Sequence, residues 1–181
     1  MQAEYRHRFK ALKTDMNNII LIGMPGSGKS TSGVILAKAA GMDFVDTDLL
    51  IQQKTGKKLQ EIIDGFGIDC FLKTESDILS GIAFENSVIS TGGSAVCTEK
   101  AMRHLKEMGT VVFLDVPVDE LKRRISNITT RGIAMRKGET LETLFKERLP
   151  LYKKYADITV SGTETEKAVE IILKTVNRTA L

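Results

Sequence analysis

The chain has no tryptophan, two cysteines, and aromatic residues at only 6% of its 181 positions. So few rings leave no platform on which unpaired nucleobases could stack. Nor does charge of one sign dominate: 26 basic side chains face 23 acidic ones, a net charge of +3. Binding along a phosphate backbone draws on a clustered basic stripe, so this balance argues against nucleic acid as a partner. Cys70 and Cys97 form no CxxC pair and have no neighbouring histidine pair. That sets aside a zinc site and leaves two reduced, half-buried thiols in a cytoplasmic protein. No apolar run approaches the ~20 residues of a membrane span. The opening MQAEYRHRFKALKTDM lacks the apolar centre of a secretory signal. Internal repeats and low-complexity tracts are absent as well. So is an NKxD run that would specify guanine, which disfavours a GTPase. The DGFG at Asp64–Gly67 ends a helical stretch and reads as a helix C-cap and turn rather than a switch element.

What is present is the composition of an ordinary globular domain, 42% hydrophobic and 27% charged. Residues 1–15 read as an extension, either a short surface helix or a loose segment, before a single domain over 16–181. Apolar or β-branched runs predict strands at Asn18–Ile22, Asp43–Val45, Ser87–Ser90, Thr110–Leu114 and Ile158–Val160. Helical periodicity predicts helices at Lys29–Ala40, Leu49–Thr55, Leu59–Asp64, Ile68–Phe84, Glu99–Met108, Val118–Ile125, Thr140–Tyr155 and Glu164–Asn177. Several strands are apolar on both faces, as buried parallel strands are. The alternation therefore predicts an α/β fold in three α/β/α layers around a parallel sheet. Ser126–Gly138 is polar, basic and glycine-bearing, and reads as a mobile loop over a site.

Two stretches carry chemistry. Gly23–Ser30, GMPGSGKS, fits GxxxxGK(S/T) in full between a strand pattern and a helical one. Its glycines let the backbone curl until its N–H groups face phosphate oxygens, and the helix that follows adds the positive end of its dipole. Gly26, Ser27, Gly28, Lys29, Ser30 and Thr31 are the candidate nucleotide contacts, with Lys29 on the β and γ phosphates and the Ser30 hydroxyl on Mg²⁺. The second stretch is FVDTD, Phe44–Asp48, at the end of the next strand, where such folds bind ligands. Strand alternation would send Asp46 and Asp48 the same way: one to hold Mg²⁺, the other to accept a hydrogen bond from a substrate hydroxyl. The competing reading is that one of them N-caps the helix LLIQQKT.

These elements, with FxxxE at Phe71–Glu75, STGGS at Ser90–Ser94, VVFLDVP at Val111–Pro117 and RLPLYKKYAD at Arg148–Asp157, resemble the shikimate kinase family of P-loop enzymes. The resemblance runs from about Asn18 to Asn177. It implies a five-stranded parallel sheet, a substrate-binding helical region and a lid at about residues 126–139. It also implies a cytoplasmic monomer that phosphorylates shikimate to shikimate 3-phosphate with ATP and Mg²⁺. By position, Lys29, Ser30 and Asp46 match the nucleotide–Mg²⁺ group, and Asp48 the residue that binds the accepting hydroxyl. Gly92 and Gly93 match the glycine turn at the substrate, Arg131 the lid arginine, Arg148 the grip on the substrate carboxylate, and Arg124 an arginine against adenine. Lys29, Asp48 and Arg131 are thus the candidate catalytic residues. Without its motif Arg148 would read as a surface charge near a helix end, and His104 reads as a solvated helix residue.

Three departures bear on the acceptor. The family pattern F-R-x-x-E has Leu72 in place of its arginine, Ser94 replaces the third glycine of the turn, and Arg131-Gly132-Ile133-Ala134 replaces Arg-Pro-Leu-Leu. A lost charge-assisted hydrogen bond of about 1.5–3 kcal/mol weakens binding roughly tenfold to a hundredfold. Lys73 points about 100° away on the helix and is no substitute. The alternatives are a kinase of another small hydroxy compound and a nucleotide-binding module without transfer. A nucleoside kinase ranks below both, because Phe66 and Phe71 are the only rings on the acceptor side. Gluconate-kinase-like enzymes usually place a His after the acidic strand, and DTDLL has none.

Overall fold

The computed structural model describes residues 18–125, 132–136 and 138–179. Five strands form one parallel sheet in the order β2-β3-β1-β4-β5. They are β1 (Asn18–Ile22), β2 (Asp43–Asp46), β3 (Ser87–Ser90), β4 (Gly109–Asp115) and β5 (Ile158–Ser161). Central β1 is wholly buried, with Ile20 opposite both Ile89 and Val111. Its side chains alternate between two cores. Ile20 and Ile22 pack with Met102, Leu105, Leu121 and Leu144, whereas Ile19 and Leu21 pack with Leu36, Val169 and Ile172. Helices therefore cover both faces, as the doubly apolar strands require. They are α1 (Lys29–Ala40), α2 (Thr47–Thr55), α3 (Leu59–Phe66), α4 (Ile68–Leu79), α5 (Glu99–Met108), α6 (Val118–Arg124), α7 (Leu141–Tyr155) and α8 (Thr165–Thr179). Helices α2 to α4 build a smaller cluster from Ile51, Leu59, Ile62 and Phe71 beside the sheet. Among the described residues no helix is long and apolar enough to cross a membrane.

The chain leaves β1 for α1 and enters β2 on the far side of β3, while β4 lies on the other side of β1. The carboxyl ends of β1, β2 and β3 thus open onto one crevice at the point where the strand order diverges. That crevice receives the phosphate loop, the Asp46–Asp48 stretch and the Thr91–Ser94 turn.

Several expectations are corrected. Asp48 does not continue a strand: β2 ends at Asp46, whose carboxylate accepts from the Asp48 and Leu49 N–H groups and starts α2. The cap wins because it satisfies N–H groups left bare at a helix start. The helix expected to reach Phe84 stops at Leu79, since Ser80 and Gly81 turn the chain. DGFG does cap and turn, with Gly67 at φ +82° closing α3 and opening α4. Both thiols are exposed and unpaired rather than half-buried. His104, half-exposed on α5, is also bonded through Nε2 to Ile82 O at 2.7 Å, which ties the helix to the loop before β3.

Much of the expected lid lies outside the described residues, Arg131 included, as does the extension at 1–15. Residues 132–134 are buried. Ala134 lies within the α2–α4 cluster, and Arg136 pairs with Asp69 at 3.1 Å. Gly132 stands at φ +65°, a left-handed position closed to proline, with no room for a Cβ, which would sit 2.5 Å from Leu59 Cβ.

Candidate active site

The phosphate loop follows from its glycines. Gly26 and Gly28 adopt φ +79° and +91°, and a Cβ at Gly26 would lie 2.7 Å from Ile125 Cγ1. Lys29 begins α1, is 7% exposed, and donates from Nζ to Gly23 O and Met24 O at 2.8 Å each. Burial lowers its pKa to about 8, while Asp48 and Asp46 pull it upward. Lys29 is therefore mainly cationic at neutral pH.

Asp46 does two jobs. Oδ1 caps α2, and Oδ2 accepts from the Ser30 hydroxyl at 2.7 Å. Ser90 Oγ lies 3.3 Å from Ser30 Oγ. The Ser30 hydroxyl and the Asp46 Oδ2 it meets, beside a phosphate cradle, suit Mg²⁺, which keeps waters and takes its remaining ligands from phosphates.

Asp48 lies on the first turn of α2 and faces the cavity. Burial raises its pKa to about 6, Asp46 adds to the rise, and Lys29 opposes it. Across from it, the Gly92 N–H donates to Thr47 Oγ1 at 3.2 Å. A Cβ on Gly92 would overlap Glu75 Oε1 and lie 2.8 Å from Asp48 Oδ1; one on Gly93 would lie 2.7 Å from Pro25 Cδ. The turn is held from behind by Tyr152, which donates to Gly93 O at 2.6 Å and stacks on Phe113 with ring centroids 5.0 Å apart. Gly92→Ala is accordingly expected to lower acceptor turnover at least tenfold and to cost about 1–3 kcal/mol of stability from overpacking. Kinetics beside thermal unfolding check this.

Arg148 is not a surface charge. It is 5% exposed, and its Nη2 donates to Ala134 O at 2.6 Å. Arg124 is tied down as well: Nε pairs with Glu120 at 2.8 Å, Nη1 reaches Gly26 O at 3.5 Å, and Nη2 donates to Thr163 O. It bridges the phosphate loop and the turn before α8.

A cavity of about 430 Å³ joins these parts, lined by Gly26, Gly28, Lys29, Ser30, Thr31, Asp48, Gly92, Gly93, Arg124 and Arg148. Of the other expected residues, Asp46 stands behind Ser30, Ser27 is buried in the loop, and Arg131 is outside the described residues. Thr47, Ser90 and Tyr152 had no part in the sequence assignment. Tyr152 sits inside the RLPLYKKYAD stretch, Thr47 between the two aspartates and Ser90 at the head of STGGS, so all three lay within motifs already marked.

The family model for shikimate kinase matches residues 25–178. The chain belongs to the shikimate kinase family. A shikimate kinase of Clostridium botulinum (strain Loch Maree / Type A3) is 39% identical over 163 residues, 88% of this chain and 95% of that protein. One from Persephonella marina is 35% identical over 164 residues, covering 90% and 99%. Among solved structures, the shikimate kinase of Acinetobacter baumannii in complex with shikimate superposes with a TM-score of 0.87 at 30% identity, covering 95% of this chain and 98% of that one. The shared chemistry is ATP-dependent phosphorylation of a small-molecule hydroxyl, and the chain is a kinase of this type.

Proposed function

We propose that the chain transfers the γ-phosphoryl of ATP to a hydroxyl of shikimate, giving shikimate 3-phosphate and ADP. The observation that carries this reading is one cavity with the phosphate loop at one end and Asp48, Gly92 and Arg148 at the other. Gly26 to Thr31 cradle the phosphates, and Arg124 lies where the adenine end of the nucleotide would run. Ser30 and Asp46 would hold Mg²⁺, which when bound neutralises phosphate charge. Arg148 pairs with the acceptor carboxylate and Gly92 and Gly93 seat its ring. Asp48 accepts the proton of the attacking hydroxyl; with a pKa of about 6 it is ionised at neutral pH yet basic enough to take that proton. Lys29 stabilises the charge that develops on the transferred group. Arg131 is assigned to the same task from the lid at about 126–139, closing over a single domain. The enzyme is read as a cytoplasmic monomer with small-molecule partners.

The test is product analysis by ³¹P NMR with MgATP and shikimate, beside hydroxy acids, sugar acids and hydroxy amino acids. A shikimate-dependent phosphomonoester with matching ADP is expected. Turnover confined to another compound would overturn the acceptor, and ATP binding without any turnover would overturn the kinase reading.

A further inference from the structure

The acceptor end of the cavity adjoins a carboxyl group to which the mechanism above gives no role. Glu75 projects from α4 and is 2% exposed. Its Oε2 accepts from Ser94 Oγ at 2.6 Å, while Oε1 has no hydrogen-bond partner among the described residues. Oε1 lies against Gly92, on the same side as Asp48 Oδ1. Two carboxyl groups therefore converge on one glycine of the acceptor turn. The position three before Glu75 on α4, from which a cation would reach it, is Leu72, which packs instead against the apolar α2–α4 cluster. A buried carboxylate with one hydroxyl partner and no cation in contact is disfavoured relative to its neutral acid.

We propose that Glu75 is a specificity-determining residue of the acceptor site: burial, with the apolar Leu72 where a cation could stand, holds it as the neutral acid, and an anionic acceptor binds to Arg148 only while Glu75 stays neutral. This deepens the shikimate reading and rests on it. Ionising Glu75 would set a second negative charge beside Asp48 on the turn that seats the acceptor. The groups that face Glu75 are Asp48 on α2, Lys29 on α1, Arg148 and Tyr152 on α7, and Cys97 after the turn. Lys29, Arg148 and the Ser94 hydroxyl favour the charged form, and Asp48 opposes it. Burial outweighs them and pushes Glu75 up to about 7. The substitutions at 72 and 94 then form one device: the hydroxyl at 94 supplies the hydrogen bond that a cation at 72 would have made redundant.

The experiment pairs the carboxyl titration of Glu75, followed by ¹³C NMR and assigned by its loss in Glu75→Gln, with shikimate kinetics from pH 6 to 8.5. Glu75 is expected to titrate near 7, and the shikimate KM to rise through that pH to roughly tenfold its low-pH value at pH 8, because only the neutral fraction binds. The kcat stays level above pH 7, where Asp48 is already ionised. Glu75→Gln flattens the KM profile at the low-pH value. Ser94→Ala moves the transition upward by removing a bond to the charged form, and Leu72→Arg moves it down. Titration of Glu75 in the ordinary carboxylate range overturns the proposal whatever the acceptor. So does a KM profile that is flat in the wild type or unchanged in Glu75→Gln. Absence of shikimate turnover with Glu75 titrating near 7 sinks the shikimate reading and the specificity role, but sustains the neutral state.

Discussion

Asp48→Asn is expected to lower kcat by roughly a hundred- to ten-thousandfold, the usual weight of a positioned general base. The amide keeps the size of the carboxyl group but cannot take the proton of the attacking hydroxyl. The affinity for MgATP should change only a few-fold, because the phosphate loop, Ser30 and Asp46 are untouched. In the wild type, kcat rises with pH through about 6 as Asp48 ionises, and that limb disappears in Asp48→Asn. Stability gives an independent check. The folded-state pKa of about 6 lies above the ordinary 3.8, so the fold is favoured below 3.8 and loses stability as pH rises through 6. The loss is on the order of 3 kcal/mol. Asp48→Asn should therefore unfold at a higher temperature than the wild type at pH 8, and the difference should vanish near pH 4. A variant that is more stable and nearly inactive marks Asp48 as a group kept for chemistry.

Arg148→Met should raise the shikimate KM roughly a hundredfold with a smaller effect on kcat. The guanidinium is buried and lines the cavity together with Gly92 and Gly93 of the acceptor turn. Charge-assisted hydrogen bonds of about 1.5–3 kcal/mol each account for that size. Arg148 also donates to Ala134 O, so its loss releases an anchor of the 132–136 segment. Arg148→Lys would restore the charge without the planar fork and should recover only part of the affinity. Steady-state kinetics with each substrate varied in turn distinguishes this from a defect in ATP binding, which should stay within a few-fold of wild type.

The phosphate loop was legible because its chemistry needs an ordered string of residues, and that string appears between a strand and a helix. Strands apolar on both faces pointed to a parallel sheet for an equally local reason, and β1 and β3 fall where the pattern put them. What escaped depended on contacts distant in sequence. Asp48 was placed on the acceptor by resemblance, but alternation gave the wrong local geometry; it reaches the cavity from the first turn of a helix that Asp46 caps. The Ile68–Phe84 pattern overran because Ile82 is buried and Phe84 half-buried in a loop after Leu79, which periodicity does not distinguish from a helix. A lone arginine on a charged helix gives no sign of burial, so only its motif singled out Arg148. Gly132-Ile133-Ala134 looked like part of a polar linker, yet Ile133 and Ala134 are buried in two different cores and Gly132 lies against Leu59 of α3. Ser94 and Glu75 stand 19 apart in sequence and meet only once the turn after β3 folds against α4.

The central claim is that one cavity joins ATP to a shikimate hydroxyl through Asp48. The most direct test is the initial rate of ADP release at saturating MgATP against shikimate concentration, for the wild type and Asp48→Asn side by side. Saturable, shikimate-dependent release by the wild type that falls at least a hundredfold in Asp48→Asn is the predicted result. Release independent of shikimate, or equal in the two proteins, would contradict it.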